Sequence, residues 1–196
     1  MTPTVSPLQL AVIVGSTRSG RFGPTVAKWF VELAAQRQEL SIDLIDLADA
    51  QLPPHMSEDM DERGAQALVE TGARLAKADA FVVVTPEYNH SYPAPLKSAI
   101  DWHFTQWQAK PIGFVSYGGI SGGLRAVEHL KQVFTELHAV TVRDAVSFHG
   151  AAQQFDSVGQ PVDPAPSKAA ATKLLDQLVW FGEALQSARS ERPYIA

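Results

Sequence analysis

The residues best suited to bind a charged ligand lie between Gly15 and Gly23, in the sequence GSTRSGRFG. This stretch contains three glycines, small hydroxyl side chains and two arginines. A loop of this composition can bend sharply, turn its N–H groups toward an anion and add hydroxyl donors and positive charge. We therefore predict that it holds a phosphate group. The expected side-chain donors are Ser16, Thr17, Ser19 and either Arg18 or Arg21, whose guanidinium can fork onto phosphate oxygens.

Two common nucleotide-binding motifs do not fit this loop. A dinucleotide fingerprint, Gly-x-Gly-x-x-Gly, would need glycine where Thr17 stands. A Walker loop would need Lys-Ser or Lys-Thr after Gly20, but Arg21 and Phe22 follow. The alternatives that remain are a site for the phosphate of a mononucleotide and a glycine-rich turn with solvated arginines.

Two later stretches have residue types that suit a flat ligand. Residues 86–91, PEYNHS, could dock a planar heteroaromatic ring on exposed backbone groups and add aromatic contacts; the alternative is a rigid loop leading into a helix. Residues 117–123, YGGISGG, lack large side chains and allow close approach; the alternative is a plain connection. We expect His90 to be a solvated surface residue rather than an acid or base. Arg125, in the first turn of the next helix, weakly indicates an anionic partner.

Hydrophobic periodicity predicts the elements that position these three stretches. The predicted strands are 8–14, 41–47, 80–85, 112–117 and 140–148, the last bent near Arg143 and Asp144. The predicted helices are 24–37, 59–77, 95–104, 124–137 and 167–187, with caps at Gly23, Ser57 and Ser121. Residues 48–56 and 151–166 are expected to be irregular. Alternating strands and helices predict a parallel sheet covered on both faces. The three stretches follow strands one, three and four, so they should meet at one edge of that sheet, where ligands bind.

Composition and charge exclude several classes of function. The formal net charge of −5 argues against a general nucleic-acid binder, since phosphate backbones require a basic surface. The chain has no cysteine, which excludes disulfides, thiolate metal sites and cysteine nucleophiles. The histidines lack metal-ligand spacing and no serine lies in a Gly-x-Ser-x-Gly elbow. Without a signal peptide or an apolar run of roughly 20 residues, we expect a cytoplasmic protein with no membrane insertion. The length predicts one domain over residues 1–196, with a loose tail at 1–7.

Three motifs together resemble the NADPH-dependent FMN reductases, a flavodoxin-like family that includes quinone, chromate and azo-dye reductases. The first motif is Gly15-Ser16-Thr17-Arg18 with Arg21. The second is PEYNHS at 86–91 followed by LKSAIDW at 96–102, and the third is YGG at 117–119 with Gly122-Gly123. The resemblance spans roughly residues 8–137. One departure is Phe22-Gly23-Pro24, where many relatives carry polar residues.

The resemblance implies a fold and a set of cofactor-binding residues. The fold would be a flavodoxin-like three-layer α/β sandwich with a five-stranded parallel sheet in the order 2-1-3-4-5. The implied FMN-binding residues are Ser16, Thr17, Arg18, Ser19, Arg21, Phe22 and Gly23 at the phosphate, Pro86, Glu87, Tyr88, Asn89 and Ser91 at the isoalloxazine ring, and Tyr117, Gly118 and Gly119 on the other side of the cofactor.

The resemblance also implies an activity. The protein would pass a hydride from NADPH or NADH, via bound FMN, to a small acceptor such as a quinone, an azo compound, a flavin or a metal oxyanion, by a ping-pong route. No side chain is assigned as catalytic, because the flavin carries the chemistry. A homodimer or homotetramer is implied, with Trp102 and the Pro53-Pro54 loop at the interface.

Two alternatives stay open at this point. The first is a flavodoxin-like electron carrier without enzymatic activity, against which the paired arginines of the first loop argue. The second is a signalling domain of the same fold without flavin, but a receiver domain would need an aspartate where Thr85-Pro86 stands. The sequence does not distinguish NADH from NADPH, and it does not say whether His90 or Arg125 contacts the acceptor.

Overall fold

The computed structural model of the protein describes residues 6–195 and contains a five-stranded β-sheet. Its strands are β1 (Leu8–Val14), β2 (Leu40–Asp46), β3 (Ala80–Pro86), β4 (Pro111–Gly118) and β5 (Val140–His149). The order is β2-β1-β3-β4-β5 and every neighbouring pair is parallel, which confirms the predicted fold class. Of the predicted N-terminal tail, residues 6 and 7 have no regular structure and residues 1–5 lie outside the described residues.

Helices cover both faces of the sheet, as predicted. They are α1 (Gly23–Ala34), α2 (Leu47–Ala50), α3 (Glu62–Lys77), α4 (Ala94–Asp101), α5 (Leu124–Glu136), α6 (Ala151–Gln154) and α7 (Pro164–Glu191). None of the helices within residues 6–195 is both long and apolar enough to cross a membrane.

The sheet separates two apolar clusters, and β1 shows how the sequence builds them. Leu10 and Val12 enter the cluster covered by α1 and α7, whereas Ala11 and Ile13 enter the cluster covered by α3, α4 and α5. This is the two-residue alternation of a strand, and burial on both faces explains why the strand is almost wholly apolar. All seven residues of β3 are buried as well. The loops that follow β1 and β3 therefore start from strands that are buried on both faces of the sheet.

The predicted helix cap at Ser57 is wrong. Asp61 caps α3 instead, because its carboxylate accepts the N–H of Gly64 at 2.7 Å. The Ser57 hydroxyl accepts the N–H of Asp59 at 3.1 Å and makes only a local turn. Serine and aspartate are both favourable caps, so residue type alone did not distinguish them.

The predicted caps at Gly23 and Ser121 are also wrong. Gly23 is the first residue of α1, and Phe22 precedes it as the cap. Gly123 caps α5 with a φ of +88°. A Cβ atom at Gly123 would lie 2.7 Å from Cβ of Ser116, so both the conformation and the packing require glycine.

Three departures from the predicted boundaries involve helices. The short helices α2 and α6 lie in stretches that were expected to be irregular. α7 begins at Pro164, earlier than predicted, and the Asp163 carboxylate accepts the N–H of Ala165 at 3.2 Å. Proline is compatible with the first helical turn, where its missing N–H has no intrahelical partner.

The structure has an irregularity in β5 at the place where a bend was predicted, near Arg143 and Asp144. The pairing of β4 with β5 shifts its register between Ile112 and Phe114. A bulge of this kind bends the strand and increases its twist.

Lys110, directly before β4, is a charged residue buried in the fold, with only 6% of its surface exposed. Its ammonium donates to the carbonyl oxygens of Leu75 and Ala76 at 3.0 and 2.9 Å, where α3 ends. Burial, together with the nearby Arg189 guanidinium, lowers the pKa of Lys110 to about 8, and Asp79 opposes the shift.

This lowered pKa predicts a pH-dependent stability. Between about pH 8 and pH 10.5 the unfolded chain binds the proton that folded Lys110 has lost, so the contribution of Lys110 to the free energy of unfolding rises with pH through that window. The rise would be at most about 3 kcal/mol. Urea denaturation of the wild type and of Lys110→Met should be measured at both ends of the window. The free energy of unfolding of the wild type, relative to that of the variant, should be higher at the high-pH end. A difference between the two proteins that stays constant with pH would contradict the assignment.

Candidate functional site

A cavity of about 500 Å³ lies at the carboxyl edge of the sheet. Its volume is typical of small-molecule sites, which range from about 300 to 1,000 Å³. The walls come from the segments that follow β1, β3, β4 and β5. The lining residues are Arg18, Gly20, Arg21 and Phe22, then Pro86, Glu87 and Tyr88, then Tyr117, Gly118 and Gly119, and finally 150–153. The three stretches singled out in the sequence thus meet in one place.

The fourth wall, residues 150–153, was missed by the sequence reasoning. These residues lead from the end of β5 into α6. The N–H of Gly150 donates to the carbonyl oxygen of Gly119 at 2.9 Å, which ties this wall to the loop after β4. The available signal was topological: the fifth strand ends at the same edge of the sheet as the others.

Several expected site residues do not line the cavity. Thr17 instead borders a separate cavity of about 420 Å³ together with Pro53 and Pro54. The hydroxyl of Ser91 lies 3.1 Å from Nδ1 of His129 on α5. The other expected residues outside the lining are Ser16, Ser19, Gly23 and Asn89.

A larger opening of about 830 Å³ lies beyond β5, the edge strand of the sheet, beside the start of α7. Its walls include Ser147, His149 and Asp163. None of the residues from the loops after β1, β3 and β4 lines it. The cavity of about 500 Å³ is lined by the three stretches singled out in the sequence and the larger opening is not, so the former is favoured as the functional site.

The loop after β1 has a run of backbone donors without backbone partners. The N–H of Gly15 donates to the carbonyl oxygen of Val84 at 2.9 Å, and that of Arg21 to the carbonyl oxygen of Arg18 at 3.2 Å. Between them, no backbone carbonyl of residues 6–195 accepts from the N–H groups of residues 16–20. Such a run directly before a helix is an anion-binding arrangement, since the helix dipole adds to the donors.

The structure separates the roles of the two arginines in this loop. The Arg21 guanidinium forms an ion pair with Asp46 at the end of β2 and donates to the carbonyl oxygen of Ser16 at 2.9 Å. The hydrogen bond with Asp46 raises the pKa of Arg21, while burial opposes it. Arg18 is exposed and forms no ion pair within residues 6–195. Arg21 therefore anchors the loop, and Arg18 has its charge available to a ligand.

The loop after β3 is a tight hairpin turn. Tyr88 and Ser91 exchange two backbone hydrogen bonds, of 2.8 and 3.1 Å. The two residues between them, Asn89 and His90, have φ values of 50° and 72°. A type I′ turn requires positive φ at both central positions, which asparagine adopts readily. The turn holds Tyr88 so that its hydroxyl lies 2.7 Å from Oγ of Ser16, a residue 72 positions earlier.

Glu87 joins this hairpin to the start of α5. Its carboxylate accepts the backbone N–H of Arg125 at 3.1 Å and the Arg125 guanidinium at 2.9 Å. Burial alone would raise the pKa of Glu87, but hydrogen bonds from Ser121 and Arg125 lower it below the usual range. Glu87 is thus a paired anion. The positive charge of Arg125 in the first turn of α5 has an internal partner.

Tyr117 forms the floor of the cavity and is only 6% exposed. A Cβ atom at Gly23 would lie 2.9 Å from the Tyr117 hydroxyl, so the start of α1 requires glycine there. Burial, helped by the nearby Tyr88, raises the pKa of Tyr117, although Ser16 and the loop arginines oppose the shift. Tyr117 therefore stays protonated at neutral pH and keeps a hydroxyl donor.

The described part of the chain offers no metal site of conventional composition. Within residues 6–195, no group of three or more His, Asp or Glu side chains is arranged to hold a metal ion. The acidic run at 58–62 precedes and opens α3, where carboxylates are favourable beside the helix N-terminus.

The chain is similar to known flavin-dependent reductases. The family described as NADPH-dependent FMN reductase matches residues 8–153. A quinone reductase of Escherichia coli is 32% identical over 193 residues, which cover 93% of this chain and 97% of the relative. An NAD(P)H-dependent FMN reductase of Schizosaccharomyces pombe is 38% identical over 122 residues, covering 59% of this chain and 60% of the relative. Among solved structures, the flavoenzyme NAD(P)H:(acceptor) oxidoreductase FerB of Paracoccus denitrificans has a TM-score of 0.72 and 27% identity, covering 90% of this chain and 98% of its own.

Proposed function

Because the chain belongs to the NADPH-dependent FMN reductase family, we propose that the cavity at the carboxyl edge of its sheet holds FMN, with the phosphate in the loop after β1. The protein is an FMN-dependent NAD(P)H oxidoreductase that acts on a small-molecule acceptor. The position of the cofactor, the role of each residue and the order of the reaction are our proposals.

The observation that supports this placement is the run of N–H groups at residues 16–20, for which residues 6–195 provide no backbone acceptor. A doubly charged phosphate needs several donors at once, and this run supplies them beside the N-terminus of α1. The free guanidinium of Arg18 adds charge, and the Ser16 hydroxyl adds a further donor. These groups fit a terminal phosphate, and the cavity beside them has room for a flat ring.

The isoalloxazine ring is assigned to the walls formed by residues 86–88 and 117–119. Two N–H groups on these walls are already engaged, since Glu87 donates to the carbonyl oxygen of Tyr117 at 3.3 Å and Tyr88 donates to that of Ser91 at 2.8 Å. On this side, the remaining backbone groups and the Tyr88 side chain would therefore contact the isoalloxazine ring. The absence of side chains at Gly118 and Gly119 lets the ring approach the opposite wall closely.

When bound, FMN supplies the redox chemistry, accepting reducing equivalents from NAD(P)H and delivering them to the acceptor. The protein binds and orients the cofactor and limits the access of water. We assign no acid or base to a side chain: the Glu87 carboxylate is paired with Arg125 and the Tyr117 phenol stays protonated. We also propose a ping-pong order, in which NAD(P)H and the acceptor would bind in turn at the exposed part of this cavity. A quinone is the proposed acceptor because the relative from E. coli is named a quinone reductase.

We also propose a homodimer or homotetramer. Trp102 and the Pro53-Pro54 loop, both expected at an interface, contact each other, since Nε1 of Trp102 donates to the carbonyl oxygen of Pro53 at 2.9 Å. Met56 follows on the same loop with 64% of its surface exposed. A large apolar side chain exposed beside an apolar cavity supports a protein contact there. The cytoplasmic location stays a prediction.

The function predicts a yellow protein with reductase activity. The purified chain, supplied with FMN, should show flavin absorbance and should oxidise NADPH or NADH when a benzoquinone is added. A colourless protein that neither binds FMN nor consumes NAD(P)H would refute the placement of FMN. Bound flavin without turnover would favour the electron-carrier alternative.

The separate roles of the two arginines predict different defects. Arg18→Gln should weaken FMN binding by roughly 10- to 100-fold, the value of a charge-assisted hydrogen bond, and leave folding unchanged. Arg21→Gln should lower the free energy of unfolding by about 1–2 kcal/mol, because it leaves the partly buried Asp46 without its partner. Fluorescence titration with FMN and urea denaturation measure the two effects. Riboflavin, which lacks the phosphate, is the control ligand, and its affinity should not change in Arg18→Gln. An equal loss of riboflavin binding would show that Arg18 does not act on the phosphate.

A further inference from the structure

We propose that Tyr88 is a positioning residue for the phosphate site: its hydroxyl donates to Oγ of Ser16 and leaves the Ser16 proton directed at the phosphate of FMN. The inference rests on the proposed placement of FMN and adds a role for a side chain that the ring site alone would not assign. It connects the loop after β3 with the loop after β1.

Ser16 can make only a limited set of hydrogen bonds. Ser16 is fully buried, with 0% of its surface exposed, and its Oγ lies 2.7 Å from the Tyr88 hydroxyl. A serine hydroxyl has one proton to donate and two lone pairs to accept with. If Ser16 gave its proton to Tyr88, it could offer an anion only lone pairs, which repel it. When Tyr88 donates instead, and Tyr117, the other phenol beside Ser16, donates to the second lone pair, the Ser16 proton is left for a phosphate oxygen.

The acidity of the two hydroxyls favours the same direction. A phenol, with a pKa near 10, is a better proton donor than an aliphatic alcohol. Binding of a phosphate strengthens this polarity, because each hydroxyl in the chain Tyr88–Ser16–phosphate donates toward the negative charge and polarises the next. A bound phosphate therefore reinforces a direction of hydrogen bonding that the acidity of the two hydroxyls already favours.

The fold holds Tyr88 rigidly enough for this role. Its backbone is fixed by the two hydrogen bonds to Ser91 across the turn. The preceding residue, Glu87, is tied to α5 through Arg125. Tyr88 itself is 37% exposed and lines the cavity, and its hydroxyl reaches the buried Ser16. A side chain anchored in this way can orient Ser16 before the ligand arrives, which reduces the entropic cost of binding.

Substitution of Tyr88 by phenylalanine tests the inference, because it removes one oxygen atom and keeps the ring. Y88F should weaken FMN binding by about five- to tenfold, the size of one net hydrogen bond. Riboflavin binding should be unchanged, since it has no phosphate. S16A should show a loss at least as large, and Y88F should add nothing in the S16A background, because the two residues act as one unit.

Tyr92 provides the matched control. It lies four positions further along, packs against the apolar cluster under α4 and makes no side-chain hydrogen bond within the described residues. Y92F should bind both ligands as the wild type does. Thermal unfolding of each variant without ligand shows whether a loss of binding reflects a loss of folding.

The outcomes separate this inference from the function on which it rests. If the wild type binds FMN and Y88F binds it equally well or more tightly, the positioning role is refuted: tighter binding would mean that Tyr88 competes with the phosphate for Ser16. If Y88F loses riboflavin and FMN to the same extent, Tyr88 acts on the ring and the inference also fails. If the wild type itself binds no FMN, the proposed placement of the cofactor is refuted, and the role of Tyr88 is refuted with it.

Discussion

The site depends on the parallel pairing of β1 with β3 in the middle of the sheet. The N–H of Gly15 donates to the carbonyl oxygen of Val84 at 2.9 Å, which carries the β1–β3 hydrogen-bonding pattern one residue past the end of β1. Leu96 of α4 packs at the same point, 3.0 Å from where a Cβ of Gly15 would stand. The chain must leave the sheet here and in this direction. The loop after β1 is thereby placed beside the loop after β3, and no contact between Ser16 and Tyr88 would form without it.

Internal ion pairs then decide which charges remain for a ligand. Arg21 is committed to Asp46, and Arg125 is committed to Glu87. Both pairs join segments that are distant in sequence, so they stabilise the loops rather than bind cofactor. What is left at the carboxyl edge is the exposed Arg18, the N–H groups of residues 16–20, for which no backbone acceptor lies within residues 6–195, and the hydroxyls of Tyr88 and Tyr117. A cavity with this set of donors is suited to an anion attached to a flat ring, as in FMN.

Much of the fold and of the candidate site could be predicted from the sequence, because the signals lie in short stretches of neighbouring residues. Apolar runs locate strands that are buried on both faces, and glycines with hydroxyl residues after a strand indicate a phosphate loop. Parallel topology then brings the strand ends together. The fold order and the three converging stretches followed from these rules and from the family resemblance.

The rest depends on contacts between residues far apart in the chain. Nothing near Arg21 in the sequence shows that Asp46 will neutralise it, and nothing near Glu87 points to Arg125. The choice of Asp61 over Ser57 as a cap, the short helices α2 and α6 and the wall at 150–153 are likewise set by tertiary packing. The hydroxyl pair of Ser16 and Tyr88 belongs to the same class, since 72 residues separate its members.

An experimental structure of the FMN complex tests the central claim most directly, through the position of the phosphate. The account predicts that the phosphate oxygens lie within hydrogen-bonding distance of the N–H groups of residues 16–20, with the Arg18 guanidinium turned onto them and Arg21 still paired with Asp46. A phosphate bound elsewhere, for instance against the start of α5 with Arg125 released from Glu87, would contradict it.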